Sequence, residues 1–126
     1  MRPAVPRKPS SEPAQFLQGA PVLEVVSVEL TVEFFVHSLG FLCDFQSSEY
    51  GVVWRDNVAL HFIRSNDIPR PIRMFHWLVD VNAYYDELQR FGTEITVEIG
   101  DREYGIRDFS VTDINGFILV FGQDIY

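Results

Sequence analysis

The stretch YGIRDFSVTDINGFILVF, Tyr104 to Phe121, predicts two short strands around a turn. Side chains alternate across a strand, so each residue takes a face. Phe109, Val111, Leu119 and Phe121 fall on one face, all apolar, as a core requires. Asp108, Ser110, Thr112, Ile118 and Val120 fall on the other, a mixture that a core alone does not account for. The elements that lead up to this hairpin occur twice along the chain.

The unit that the hairpin closes begins with the strand MFHWLVDV. Asn82 or Asp80 caps the helix AYYDELQRF, Gly92 ends it, and the strand EITVEIG follows. Val81, Tyr85, Leu88 and Phe91 make the expected buried stripe. The upstream unit starts with the strand PVLEVV. Ser27 is the expected N-cap of the helix VELTVEFFVHSL, Gly40 its end, and Val28, Val32, Phe35, Val36 and Leu39 its stripe. Three strands follow, FLCDFQSS, YGVVWR and VALHFIR, the last two joined at Asp56-Asn57. A repeated β-α-β-β-β order predicts an α+β fold: paired βαβββ modules forming a curved mixed sheet, with a concave cleft and helices outside. The expected bounds are a flexible proline-rich arm over 1–19, a first module over 20–67, a linker IPRPIR over 68–73 and a second module over 74–126.

A turn at Asp56-Asn57 pairs Arg55 with Val58, Trp54 with Ala59, Val53 with Leu60 and Val52 with His61. Val53, Leu60 and Phe62 then face the helix. Tyr50, Val52, Trp54, Ala59, His61 and Ile63 lie on the opposite face. Bare to water, Tyr50, Trp54 and Ile63 would form an apolar patch, so they are expected to line a pocket or a subunit interface. In the second unit His76 and Leu78 share the helix side, and Arg73, Phe75 and Trp77 share the other.

The 126 residues are 47% apolar and carry a formal net charge of −8. That is one domain of chain, or two small modules. No apolar run approaches the ~18 residues of a membrane span, and the N-terminus has no apolar segment of a secretory signal. The single cysteine, Cys43, excludes an internal disulfide, fits a cytoplasmic location and is expected to be plain packing. Arg2, Arg7 and Lys8 outweigh Glu12 near the N-terminus, so the acidic excess sits in the remainder. An acidic body argues against a nucleic-acid partner, because phosphates need a basic surface. It fits either a cationic ligand or simple solubility.

The repeated β-α-β-β-β, with R-x-F-x-V-x-D-x-x-G from Arg107 to Gly116, resembles the vicinal oxygen chelate superfamily of glyoxalases, extradiol dioxygenases and bleomycin resistance proteins. PVL, VEFF, LGF, DF, GVV and RDNVAL follow in the order of the bleomycin resistance proteins, to which the first unit is most similar. The resemblance covers residues 20–123 and implies paired modules, assembled as a homodimer with ligand crevices at its interface. It also implies four metal-ligand positions, at Ala20, His61, Arg73 and Val120. One usable ligand in four does not make a metal site. No metal, cofactor or catalytic residue is therefore expected.

The resemblance implies a metal-free protein that sequesters an aromatic small molecule, expected to be a cationic drug such as a bleomycin-type antibiotic, or a metabolite. Tyr50, Trp54, Phe75 and Trp77 would supply flat walls. His61, Asp108 and Ser110 would supply polar contacts, with Glu24 as a further acid. Asp113 sits at a tight turn and is expected to cap backbone groups. His61 is either a ligand contact or a strand histidine bonded to a neighbour. The alternatives are a metal-dependent enzyme of the glyoxalase or dioxygenase type, and a dimeric structural protein whose aromatic face is covered by its partner. The N-terminal arm is expected either to be disordered or to lie on a neighbouring subunit.

Overall fold

The computed structural model describes residues 13–14 and 16–125. The expected arm over 1–19 lies largely outside them. The elements run β1 (Val22–Val25), α1 (Val28–Leu39), β2 (Leu42–Gln46), β3 (Tyr50–Arg55) and β4 (Val58–Arg64). They continue with β5 (Arg73–Trp77), α2 (Val81–Phe91), β6 (Val97–Asp101), β7 (Ile106–Thr112) and β8 (Ile118–Asp124). The chain thus folds as two βαβββ modules of α+β class, compact units that divide between Ile68 and Pro69. Each has a four-stranded sheet, ordered β1-β4-β3-β2 in one and β5-β8-β7-β6 in the other. The first and last strands of each module pair parallel and the rest antiparallel, so both sheets are mixed.

Local chemistry explains where the helices begin and end. The Ser27 hydroxyl accepts from the Leu30 amide at 3.1 Å, satisfying a free first-turn donor. Gly40 closes α1 at φ 74°, a conformation that costs a residue without Cβ little. Arg55 on β3 donates to the carbonyls of Leu39 and Gly40 at 3.3 and 3.4 Å, placing a cation at the negative end of the helix. In α2 the cap is Asp80, whose carboxylate accepts from the Ala83 amide at 3.1 Å. Gln123 Oε1 accepts from the Val81 amide at 2.8 Å. The helix therefore starts two residues before the expected AYYDELQRF, and Asn82 instead accepts from Arg107 at 3.1 Å.

Each helix covers one face of its own sheet. From α1 come Val28, Val32, Phe35 and Leu39, as expected, but Val36 is only half-buried. Thr31 is buried as well, its hydroxyl donating to the Ser27 carbonyl at 2.8 Å. The helix approaches the sheet closely at Gly51, where a Cβ would lie 2.8 Å from Val28 Cγ1 and 2.9 Å from Val32 Cγ2. In α2 the buried residues are Val81, Tyr84 and Leu88. The expected stripe is corrected at two places: Tyr85 is half-buried and Phe91 exposed. Residues advance about 100° each around a helix, so Val81, Tyr84 and Leu88 share a narrow arc, with Tyr85 and Phe91 on its two flanks. The Tyr85 hydroxyl donates to Glu98 at 2.8 Å.

In the hairpin of β7 and β8, Phe109, Val111, Leu119 and Phe121 are all buried on the helix side. Asp113 Oδ1 accepts from the amides of Asn115 and Phe117 at 2.8 and 2.9 Å. Gly116 completes the turn at φ 86°. Burial pushes the Asp113 carboxyl above the ordinary value of 3.8 despite these bonds, so this acid serves the turn. The strand expected over EITVEIG starts later in the chain, as β6 at Val97–Asp101, and its ladder with β7 is irregular between Val97 and Gly100. No helix among the described residues is long and apolar enough to cross a membrane.

Candidate functional site

The opposite face of each sheet has no helix of its own module. In the first module the hairpin register is the expected one, with Arg55 opposite Val58 and Val52 opposite His61. Across the strands, Val22, His61, Val52 and Phe45 make one row. Glu24, Ile63 and Tyr50 make the next row, and Ala59, Trp54 and Leu42 another. Val22, Leu42, Phe45 and Ile63 are all substantially exposed. This face is apolar and open at its edges.

Its polar feature is a pair. The Tyr50 hydroxyl and His61 Nδ1 are 2.6 Å apart, and the two rings meet edge to face with centroids 5.5 Å apart. The residues are diagonal neighbours on adjacent strands, a distance that aromatic side chains bridge. Both are half-buried. Trp54, two rungs from His61, holds its Nε1 buried with no hydrogen-bond partner among the described residues. Glu24 is exposed on the edge strand β1.

The second module orders its helix-free face by strand. β5 presents Arg73, Phe75 and Trp77; β8 presents Ile118, Val120 and Gly122; β7 presents Thr112, Ser110 and Asp108. Phe75 and Trp77 pack edge to face at 4.7 Å and are 39% and 62% exposed, so they form an aromatic step open to solvent. The ring of Phe75 lies over Gly122, where a Cβ would come within 2.6 Å of Cζ. Arg73 is exposed.

Asp108 is less available than its position on this face suggests. Arg102 Nε donates to Oδ1 at 2.8 Å and the Tyr104 hydroxyl donates to Oδ2 at 2.8 Å. Arg102 also donates to the backbone carbonyls of Glu98 and Asp108, at 2.7 and 3.0 Å. Both carboxylate oxygens are thus engaged, and the charge is matched by a guanidinium. The bond to Asp108 holds the Tyr104 phenol above its ordinary value of 10.0. Sequence reading missed Arg102 and Tyr104. The pairing of Gly100 with Asp108 sets the β6–β7 connection beside the carboxylate, and no pattern in the sequence marks it. Ser110 shares the face but is buried, and its carbonyl accepts from the Thr96 amide and hydroxyl.

His61 pairs with Val22, and Val120 pairs with Phe75. Ala20 and Arg73 therefore each stand two residues ahead of those partners, so the four positions correspond between the modules. An alanine, a histidine bonded to a phenol, an arginine and a buried valine do not fit a divalent metal. Among the described residues no group of three or more His, Cys, Asp and Glu side chains gathers to hold one. His76 is on the helix side, as expected, stacked on Phe121 at 4.7 Å. Its Nδ1 donates to the Val120 carbonyl at 3.0 Å, and its Nε2 is buried without a partner among the described residues.

No protein-family model matches the chain, and no curated protein matches it. Solved structures do. The chain is 26% identical to a bleomycin-binding protein from bleomycin-producing Streptomyces verticillus, solved with copper(II)-bleomycin, over 86% of this chain and 96% of that one, with a TM-score of 0.71. A glyoxalase-related enzyme from Clostridium phytofermentans superposes with a TM-score of 0.75 at 21% identity, over 90% of this chain and all of that one (100%). A glyoxalase/bleomycin resistance protein/dioxygenase from Nocardioides gives a TM-score of 0.72 at 14% identity, covering 90% and 87% of the two chains. With two βαβββ modules and this likeness over nearly its whole described length, the chain has the fold of the vicinal oxygen chelate superfamily.

Proposed function

We propose that this protein binds an aromatic small molecule on its helix-free sheet faces and holds it without chemical turnover. The observation that carries the reading is the exposed Phe75–Trp77 step on a superfamily scaffold whose four metal positions are Ala20, His61, Arg73 and Val120. Open aromatic edges and faces favour a flat apolar ligand, at about 0.5–1.5 kcal/mol per ring beyond area burial. Tyr50, Trp54, His61, Phe75, Trp77 and Ser110 are the proposed contacts. Asp108 contributes through Arg102 and Tyr104, which it holds in place. A net charge of −8 favours a cationic group on the ligand through the field of the whole molecule. The binding of bleomycin by a structural neighbour makes a bleomycin-type antibiotic the first ligand to try.

A homodimer in the cytoplasm is part of the same proposal. Val22, Leu42, Phe45 and Val97 are exposed apolar side chains on the helix-free faces, beyond what a small ligand needs to cover. Sedimentation at micromolar concentration is expected to give a dimer, and a monomer would remove this part of the reading.

Recovery of the ligand tests the absence of turnover. Protein purified from metal-supplemented medium is incubated with bleomycin, denatured, and analysed for metal and for ligand mass. The expected result is unchanged bleomycin and no stoichiometric zinc, nickel, manganese or iron. Tightly bound metal at one per chain, or a chemically altered ligand, would favour the enzyme reading instead.

A further inference from the structure

The contact between Tyr50 and His61 fixes more than a ring orientation. At 2.6 Å one proton is shared between the phenol oxygen and Nδ1. Two arrangements are available to a neutral imidazole: the phenol donates to Nδ1, or Nδ1–H donates to the phenol oxygen. A phenol O–H is a far stronger acid than the N–H of a neutral imidazole, and so the better donor. The imidazole lone pair is in turn a much better acceptor than a phenol oxygen. Both preferences point the same way, toward O–H···Nδ1. The hydrogen of the imidazole is then on Nε2, because the bond at one ring nitrogen sets the state of the other.

We propose that Tyr50 is a positioning residue that holds His61 as the Nε2–H tautomer, making the histidine a hydrogen-bond donor to a ligand's carbonyl, carboxylate or other oxygen acceptor. The placement supports this. His61 is half-buried on the helix-free face of the first module, in a row with Val22, Val52 and Phe45. Its neighbours in that row are apolar, and the acid of the next row, Glu24, is exposed on the edge strand. The same arrangement turns His61 away from metal chemistry. Ligation through Nε2 needs a lone pair on that nitrogen, hence a hydrogen on Nδ1, and the Tyr50 hydroxyl would have to give up its acceptor. Tyr50 therefore acts on the one superfamily metal position that still carries a usable side chain. The tautomer stands on the geometry alone; the oxygen acceptor rests on the binding proposed above.

Nitrogen-15 NMR of the full chain in mildly alkaline buffer tests the tautomer without any ligand. The expected His61 pattern is a pyridine-like Nδ1 and a pyrrole-like Nε2, with Tyr50→Phe shifting the two signals toward a mixture. A protonated Nδ1 in the wild type, or an unchanged pattern in Tyr50→Phe, would overturn the inference. Retained spectral dispersion elsewhere shows that the variant is folded. The acceptor is tested with metal-free bleomycin. With binding intact in the wild type, Tyr50→Phe and His61→Phe are each expected to weaken it several-fold. Bleomycin binding equally to all three proteins would overturn the donor role while leaving the binding function in place. No binding by the wild type, with the expected tautomer present, would overturn the binding reading and with it the donor role, but not the tautomer.

Discussion

The ring of Phe75 rests on the bare backbone of Gly122, so close that a Cβ there would sit 2.6 Å from Cζ and 3.0 Å from Ile106 Cγ2. The two residues lie on adjacent parallel strands, β5 and β8, with their side-chain positions on the same face. The missing side chain is what lets the aromatic step lie down on the sheet. Gly122→Ala is therefore expected to lift Phe75 and to cost about 1–3 kcal/mol, the usual penalty for overpacking. Urea unfolding checks it. Combining the substitution with Phe75→Ala should recover much of the loss, since the clash needs both partners. Equal costs in both backgrounds would mean that Phe75 is not what Gly122 accommodates.

Asp108 is predicted to matter for order rather than for direct attraction of a cation. Asp108→Ala removes the acceptor of Arg102 Nε and of the Tyr104 hydroxyl together. The guanidinium is partly exposed, at 28%, while the carboxylate is nearly covered, at 8%. A loss of about 1–3 kcal/mol is expected, in the range for buried charge-assisted bonds. Hydrogen exchange should show the β6–β7 connection opening in the variant. A stable variant with an unchanged exchange pattern would contradict the clamp.

Much of this was legible in the residues. The Asp56-Asn57 turn fixed a register, and one register assigned faces to both strands. The β7–β8 hairpin sorted itself the same way, because alternation over seven residues leaves little ambiguity. Helix faces were harder. Tyr84 and Tyr85 are adjacent aromatics, and which of them turns inward depends on where Asp80 starts the helix. The site was legible as a set of faces but not as a set of bonds. That Asp108 is held by Arg102 depends on an irregular β6–β7 ladder, which no local pattern encodes. The bond between Tyr50 and His61 is diagonal rather than directly across, so shared face alone does not imply it.

His76 gives the second module a sensitivity to acid. It is buried, with a carbonyl partner at Nδ1 and none among the described residues at Nε2, and burial lowers its pKa from the ordinary 6.5 even though the bond to Val120 acts the other way. The neutral form is the one the fold accommodates. The unfolded chain takes up its proton first as the pH falls. The contribution of His76 is thus fully present above about pH 6.5 and is lost as the pH drops through the lower folded value. Urea midpoints should fall between about pH 7.5 and pH 5 in the wild type, and fall less in His76→Gln. Parallel falls in the two proteins would remove His76 as the cause.

Trp54 carries a buried donor that finds no partner among the described residues. Trp54→Phe removes that N–H while keeping an aromatic ring. Its stability is expected to change little, because loss of packing is offset by relief of an unpaired buried polar group, about 1–3 kcal/mol. Trp54→Ala should lose about 3–5 kcal/mol. Thermal unfolding compares them. A Trp54→Phe variant as unstable as the alanine one would show that the indole N–H has a partner in solution.

Exposed aromatic side chains are proposed to bind a small molecule without a metal. Titration calorimetry with metal-free bleomycin, in the presence of a chelator, measures this most directly when run on the wild type and on Trp77→Ala. Saturable heat is expected in the chelated wild type, with at least several-fold weaker binding for Trp77→Ala, a residue 62% exposed that contributes little to the core. Binding that disappears with the chelator, or that is indifferent to Trp77, would contradict it.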